Sequence, residues 1–157
     1  MLLEAAKAGM EIGIHGATHR MLSSCSRAEV VEEFRVCKDH LESLLGRSVE
    51  HASLPGGDLN QTVISCAKEA AIASLSTSRP GLNFRTTSRF DLRRVAIRES
   101  SSTADMARHC TFDLGREKAR WTLLRMPRLV LGMKRYSRLR RLVLNEPGGD
   151  PSELFEP

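Results

Sequence analysis

The chain has 157 residues, 41% of them hydrophobic and 27% charged, the balance of an ordinary globular domain or of a piece cut from a larger one. No run approaches eighteen consecutive apolar residues, and Met1-Leu2-Leu3-Glu4 lacks a basic segment leading into a long apolar one, which excludes a spanning helix or a secretory leader from the sequence given. One Trp, one Tyr and five Phe are too few for a broad ring-stacking sugar platform, and the net charge of +5 is uneven: residues 116–145 hold ten Lys or Arg against one acid, Glu117.

Glu4 to Gly9 reads as the end of a helix, with alanines as helix formers and Gly9 as its stop. Residues 11–15 follow as a short apolar strand in which Gly13 allows close approach of a neighbouring backbone. Ser26-Arg27-Ala28-Glu29 is a capping box. Behind it Val30, Phe34, Cys37, Leu41 and Leu44 recur at spacings of four and three, predicting one apolar helix face through to Leu45 before Gly46. His40 lies beside that face and reads as a surface or partly buried helix residue.

Val49 to Leu54 predicts a second strand, ended by the turn Pro55-Gly56-Gly57. Asn60 caps a predicted helix over 61–71 with Val63, Ile64, Ala67 and Ala71 inward. Strands follow over 73–77 and 92–98, then a short helix from Ser102 to about Cys110. Strands alternating with helices at these intervals predict parallel pairing through crossovers, an α/β class. From Arg116 a helical pattern resumes with Trp121, Leu124, Leu129 and Leu131, broken at Pro127; a last helix is predicted over 137–144 and a disordered end over 146–157. Cys25, Cys37, Cys66 and Cys110 are widely spaced with no Cys-x-x-Cys pair, so they read as reduced, mostly packing thiols, which suits a cytoplasmic protein.

The chemistry-bearing segment is His15-Gly16-Ala17-Thr18-His19, two imidazoles four residues apart where a strand runs out into a loop. Neutral imidazole is the commonest side-chain ligand for zinc-like ions, and a catalytic site takes about three protein ligands with one position open. On spacing alone the pair reads equally as two solvated loop histidines.

Gly9-Met10-Glu11-Ile12-Gly13-Ile14-His15-Gly16-Ala17-Thr18-His19, with Leu54-Pro55-Gly56-Gly57-Asp58 downstream, resembles the polysaccharide deacetylase family of the NodB-homology group, over about Leu3 to Arg98. The resemblance implies a partial (β/α) barrel over 1–112; the basic, helix-patterned residues beyond it read as a helical extension over 113–145. It implies that His15 and His19 are metal ligands, that Thr18 supports their loop, and that Pro55, Gly56 and Gly57 line the substrate groove. It implies a divalent metal, zinc first and cobalt or nickel as alternatives, and an N-acetylated sugar or polysaccharide as partner.

Departures from the family pattern accompany it. The family's Thr-Phe-Asp-Asp-Gly strand, with a metal-binding aspartate and an aspartate base, has no counterpart, so the chain reads as N-terminally incomplete. Ser53 stands where the family has an arginine, and the Leu-x-His that supplies the general acid is not found; His109 reads as structural or exposed. The implied activity is metal-dependent hydrolysis of acetyl groups from N-acetylated sugars, impaired in this chain. A non-catalytic carbohydrate-binding or interaction remnant is the rival. Arg135, Arg138, Arg140 and Arg141, interleaved with Leu139, Leu142 and Leu144, admit a third reading, a basic peripheral protein at the inner face of the membrane; the bland alternative is a helix packing its leucines on the domain. Nucleic acid is disfavoured because no recognised module accompanies the charge.

Overall fold

A computed structural model describes residues 1–97, 99 and 101–123. The break expected at Pro127, the helix over 137–144 with its arginines and the end over 146–157 lie outside the described residues. The chain divides into two units, one of residues 1–78 and 83–93, the other of residues 79–82 and 94 onward.

In the first unit, helix α1 (Leu2–Lys7) ends two residues earlier than expected. Gly9 adopts a φ of +87°, and the N–H groups of Gly9 and Met10 return to the carbonyls of Ala6 and Ala5, the closing pattern that lets a left-handed glycine end a helix. Helix α2 (Arg27–Leu45) opens on the expected capping box at Ser26 and Glu29 and closes on Gly46 at φ +65°. Its inner face is Val30 and Phe34, both 0% exposed, with Cys37, Leu41 and Leu45 packed behind them. Leu44, expected in that face, is 46% exposed. At 100° per residue Leu45 lies about 20° from the direction of Phe34 and Leu44 about 80° away, so the helix turns Leu45 inward.

The sheet is built from short parallel segments. Strands β1 (His51–Ser53) and β2 (Ser74–Ser76) pair in parallel with Ala52 opposite Leu75. Two isolated parallel bridges, Ile14 with Ala52 and Ser76 with Leu92, extend the row at either side. The strands expected over 11–15 and 92–98 are therefore single-residue pairings at Ile14 and Leu92, and the expected second and third strands shrink to three residues each. Apolar β-branched runs favour extended backbone, but the ladder reaches only as far as a neighbour offers hydrogen bonds. α2 carries the chain from Ile14 to β1, and α3 (Gln61–Glu69) from β1 to β2.

α3 is capped as expected by Asn60, whose Oδ1 accepts from Val63 N at 2.9 Å. Its buried residues are Val63, Cys66 and Ala67; Ala71, expected inward, lies past the helix end at φ +54°. Together Ile14, Leu22, Val30, Phe34, Val49, Ala52, Leu54, Val63 and Leu75 form the core between sheet and helices. Cys66 is buried, Cys25 and Cys37 half-buried and Cys110 exposed. Burial pushes the Cys25 and Cys66 thiols up, which keeps them protonated and unreactive.

In the second unit Ser102 and Asp105 form a capping box on helix α4 (Thr103–Cys110), and residues 115–123 are helical. Glu117 Oε1 joins them, accepting from Arg108 Nη2 at 3.0 Å and meeting His109 Nε2 at 3.0 Å. His109 is thus a structural residue, with a side chain 12% exposed. No helix among the described residues is long and apolar enough to cross a membrane.

The Glu29 cap carries a pH signature. The Ser26 backbone N–H and hydroxyl, then Arg20, hold its carboxyl at about 2 against an ordinary value of 4.5. A depressed folded value stabilises fully above the unfolded one and is lost as pH falls through the folded one. The urea midpoint of the wild type is expected to fall between pH 4.5 and about 2, and Glu29→Gln to flatten that stretch of the profile; equal slopes in the two proteins would contradict it.

Candidate functional site

Parallel strands release their loops at the same sheet edge, where ligands of open α/β folds collect. Here that edge joins His15, directly after the Ile14 bridge, to Ser53 at the end of β1. Ile14 donates from N to His51 O and accepts from Ser53 N, each at 2.8 Å. The pairing brings His15 Nδ1 to 2.9 Å from Ser53 O and 2.7 Å from Ser53 Oγ. A carbonyl oxygen only accepts, so Nδ1 carries the proton and donates, and the ring's lone pair lies on Nε2.

The loop then doubles back. Gly16 sits at φ +82° and His19 at φ +57°, both left-handed, and a non-glycine residue there is held by its surroundings. The two rings face each other obliquely with centroids 5.1 Å apart and planes 53° apart. Sequence spacing and three-dimensional proximity agree for this pair.

What holds the loop is Glu33 of α2, which sequence reasoning missed. Its Oε2 accepts from Ala17 N at 2.7 Å and from Thr18 N at 3.0 Å, and Oε1 accepts from the Thr18 hydroxyl. The residue is only 6% exposed. Its signal in the sequence was an acid between Val30 and Phe34 on the apolar face of a helix, where a solvated charge has no place.

The expected groove turn is a 3-10 helical segment, Pro55–Gly57, packed beside the loop: a Cβ on Gly16 would lie 3.6 Å from Pro55 Cγ. Pro55 and Gly57 are buried. Pro55 has no N–H, and that of Gly57 donates to Leu54 O at 2.8 Å, so any contact from this turn to a developing oxyanion falls to Gly56. A cavity of about 280 Å³ elsewhere in this unit is lined by Phe84, Thr86, Thr87, Ser88, Asp91 and Arg93 and includes none of these residues.

Two imidazoles, one with its Nδ1 engaged so that Nε2 is left for an ion, suit a divalent ion as a pair of ligands. Among the described residues no group of three or more His, Cys, Asp or Glu is placed to hold a metal. The donor set thus fits half of a zinc site, the other ligands coming from water or from outside the described residues.

These features define an α/β protein with a histidine pair at the carboxyl edge of a parallel sheet. The family model for polysaccharide deacetylase matches residues 1–75, so that part of the chain is similar to the polysaccharide deacetylase family. No curated protein sequence matches significantly. Among solved structures, a Streptococcus pyogenes deacetylase in complex with acetate superposes with a TM-score of 0.63 at 21% identity, over 68% of this chain and 47% of that one. A putative polysaccharide deacetylase of Bacillus anthracis gives 0.60 at 22% identity, over 68% and 34%. A de-N-acetylase of Aggregatibacter actinomycetemcomitans gives 0.55 at 16% identity, over 68% and 50%. The likeness is one of fold, and the chain spans half or less of each of these structures.

Gly57 tests the packing of this edge. It sits at φ +66°, and a Cβ there would fall 2.1 Å from Ser78 Oγ and 2.2 Å from Ser78 N. Backbone cannot swing aside as a side chain can, so Gly57→Ala combines a left-handed penalty with overpacking. A loss of about 2–4 kcal/mol is expected in urea unfolding, and a loss under about 1 kcal/mol would show that the turn is not so confined.

Proposed function

We propose that this chain supplies the two-histidine half of a metal-dependent deacetylase site acting on N-acetylated sugars of a polysaccharide or its precursor. The observation that carries the reading is the His15–His19 pair, with rings 5.1 Å apart and His15 Nδ1 bonded to Ser53 O, which directs Nε2 toward an ion. The family match over residues 1–75 supports the substrate class. The four parallel segments, laid on about half of the similar structures, support an arc of a (β/α) barrel.

In this reading His15 and His19 hold the ion, zinc first, with cobalt or nickel as substitutes. A bound zinc ion supplies polarisation of the acetyl carbonyl and a water of lowered pKa. Thr18 steadies the loop between the ligands through Glu33. Pro55, Gly56 and Gly57 line the groove for the sugar, with the Gly56 N–H as the donor nearest to hand for negative charge. The acid and base of the reaction are assigned to no residue among those described, so the chain alone is expected to work poorly.

Zinc titration of the metal-free chain, followed calorimetrically, tests the reading. Binding is expected at one site, and His15→Ala or His19→Ala is expected to weaken it by more than about tenfold. Wild-type binding that both variants share would place the ion elsewhere and end the proposal. Release of acetate from an N-acetylated chitooligosaccharide, assayed in parallel, separates an active site from a non-catalytic carbohydrate-binding one that still takes zinc.

A further inference from the structure

Glu33 is a buried carboxylate on a face otherwise given to the core, and burying a carboxylate is costly unless each lone pair finds a donor. Among the described residues its donors come from residues 17 and 18, the centre of the loop between the two imidazoles: Ala17 N at 2.7 Å, Thr18 N at 3.0 Å and the Thr18 hydroxyl. A Cβ on Gly16 would lie 3.1 Å from Glu33 Oε2, so the carboxylate also presses against the left-handed residue that starts the turn. At the far end His19 sits at φ +57°, a left-handed conformation that is unfavourable for a non-glycine residue and persists only when its surroundings over-determine it.

We infer that Glu33 is the positioning residue of the histidine pair: its carboxylate is a template that folds residues 16–19 so that both imidazoles face one ion. The inference rests on the metal reading of His15 and His19 for its purpose, but its structural content stands without the metal. Without Glu33 two backbone N–H groups lose their acceptor, the turn relaxes, and His19 returns to a right-handed or extended backbone that carries its ring away from His15. His15 keeps its place, because Ser53 and the Ile14 pairing hold it independently.

A positioning role differs from generic stabilisation in which substitute works. Glutamine keeps the length, its amide oxygen accepting from both N–H groups and its NH₂ donating to the Thr18 oxygen. Aspartate keeps the charge and loses the reach. Geometry as the function therefore predicts that Glu33→Gln retains the site and that Glu33→Asp and Glu33→Ala lose it, whereas a need for negative charge predicts the reverse order of Gln and Asp.

The test uses the chain in two states. In metal-free, ¹⁵N-labelled protein, the Ala17 and Thr18 amides are expected to be protected from solvent exchange in the wild type and Glu33→Gln, and unprotected in Glu33→Asp and Glu33→Ala. In zinc titrations, with folding checked by circular dichroism, the latter two are expected to bind on the order of 10–100-fold more weakly than wild type. Folded Glu33→Ala with wild-type amide protection and zinc affinity within a factor of about two would overturn the inference. A wild type that binds no zinc would sink the metal reading and leave the amide exchange to decide Glu33 by itself. If Glu33→Ala does not fold, Thr18→Val decides: Thr18 is exposed, and its loss removes one of the template's bonds. Faster exchange at residues 17 and 18 in that variant supports the inference, and unchanged exchange with unchanged zinc affinity overturns it.

Discussion

The pairing of Ile14 with Ala52 is the constraint on which the site depends. Ile14 is 1% exposed and is fixed from both sides, by its side chain in the core and by hydrogen bonds to His51 and Ser53. In a parallel pairing a slip of one residue reverses the face of every side chain. Such a slip would expose Ile14 and send His15 away from Ser53, so the register that buries the isoleucine also selects the imidazole's partner. Core packing and site geometry are here one interaction seen from its two ends.

The features that break local rules gather at this edge of the sheet. A buried acid, a histidine in left-handed backbone and a glycine pressed against Ser78 all lie on the segments that leave Ile14 and β1 or on the helix behind them. Apart from Glu33, helices α2 and α3 are regular: both are capped as their sequences dictate, and their other buried residues are apolar. Among the described residues Ala71, just past α3, and Phe112 are also left-handed, but only at this edge do a buried acid, a left-handed histidine and a confined glycine occur together, as exceptions do where geometry matters more than stability.

What could be read from the sequence was what is local. The box at Ser26, the Asn60 cap and the Gly46 stop depend on residues within one turn of each other, and all three formed as expected; the helix expected from Ser102 is there too, and the structure adds its capping box with Asp105. Strand lengths were overestimated because pairing is decided by distant neighbours: residues 11–15 were expected as a strand, yet only Ile14 is bridged. The four-residue spacing of His15 and His19 was visible, but not their approach, which needs two left-handed residues and an anchor fifteen or so positions downstream. Glu33 passed as an ordinary helix acid because nothing in its own neighbourhood reveals the loop that meets it. Ser53 was noticed only as an arginine not present; its contact with His15 follows from register, which a linear reading does not supply.

Serine at position 53 has a consequence for how the site withstands change. The bond that sets the His15 tautomer runs to the backbone carbonyl of residue 53, with the hydroxyl alongside, so the tautomer is a property of the sheet register rather than of one side chain. His19 has no such backing; its placement is carried by the loop and therefore by Glu33. On the proposed metal reading, two protein donors rather than three leave little binding energy to correct a misplaced ligand, and preorganisation would contribute a larger share of the affinity. The two histidines thus differ in robustness: His15 is held by the fold, and His19, on the inference drawn from Glu33, by a single buried carboxylate.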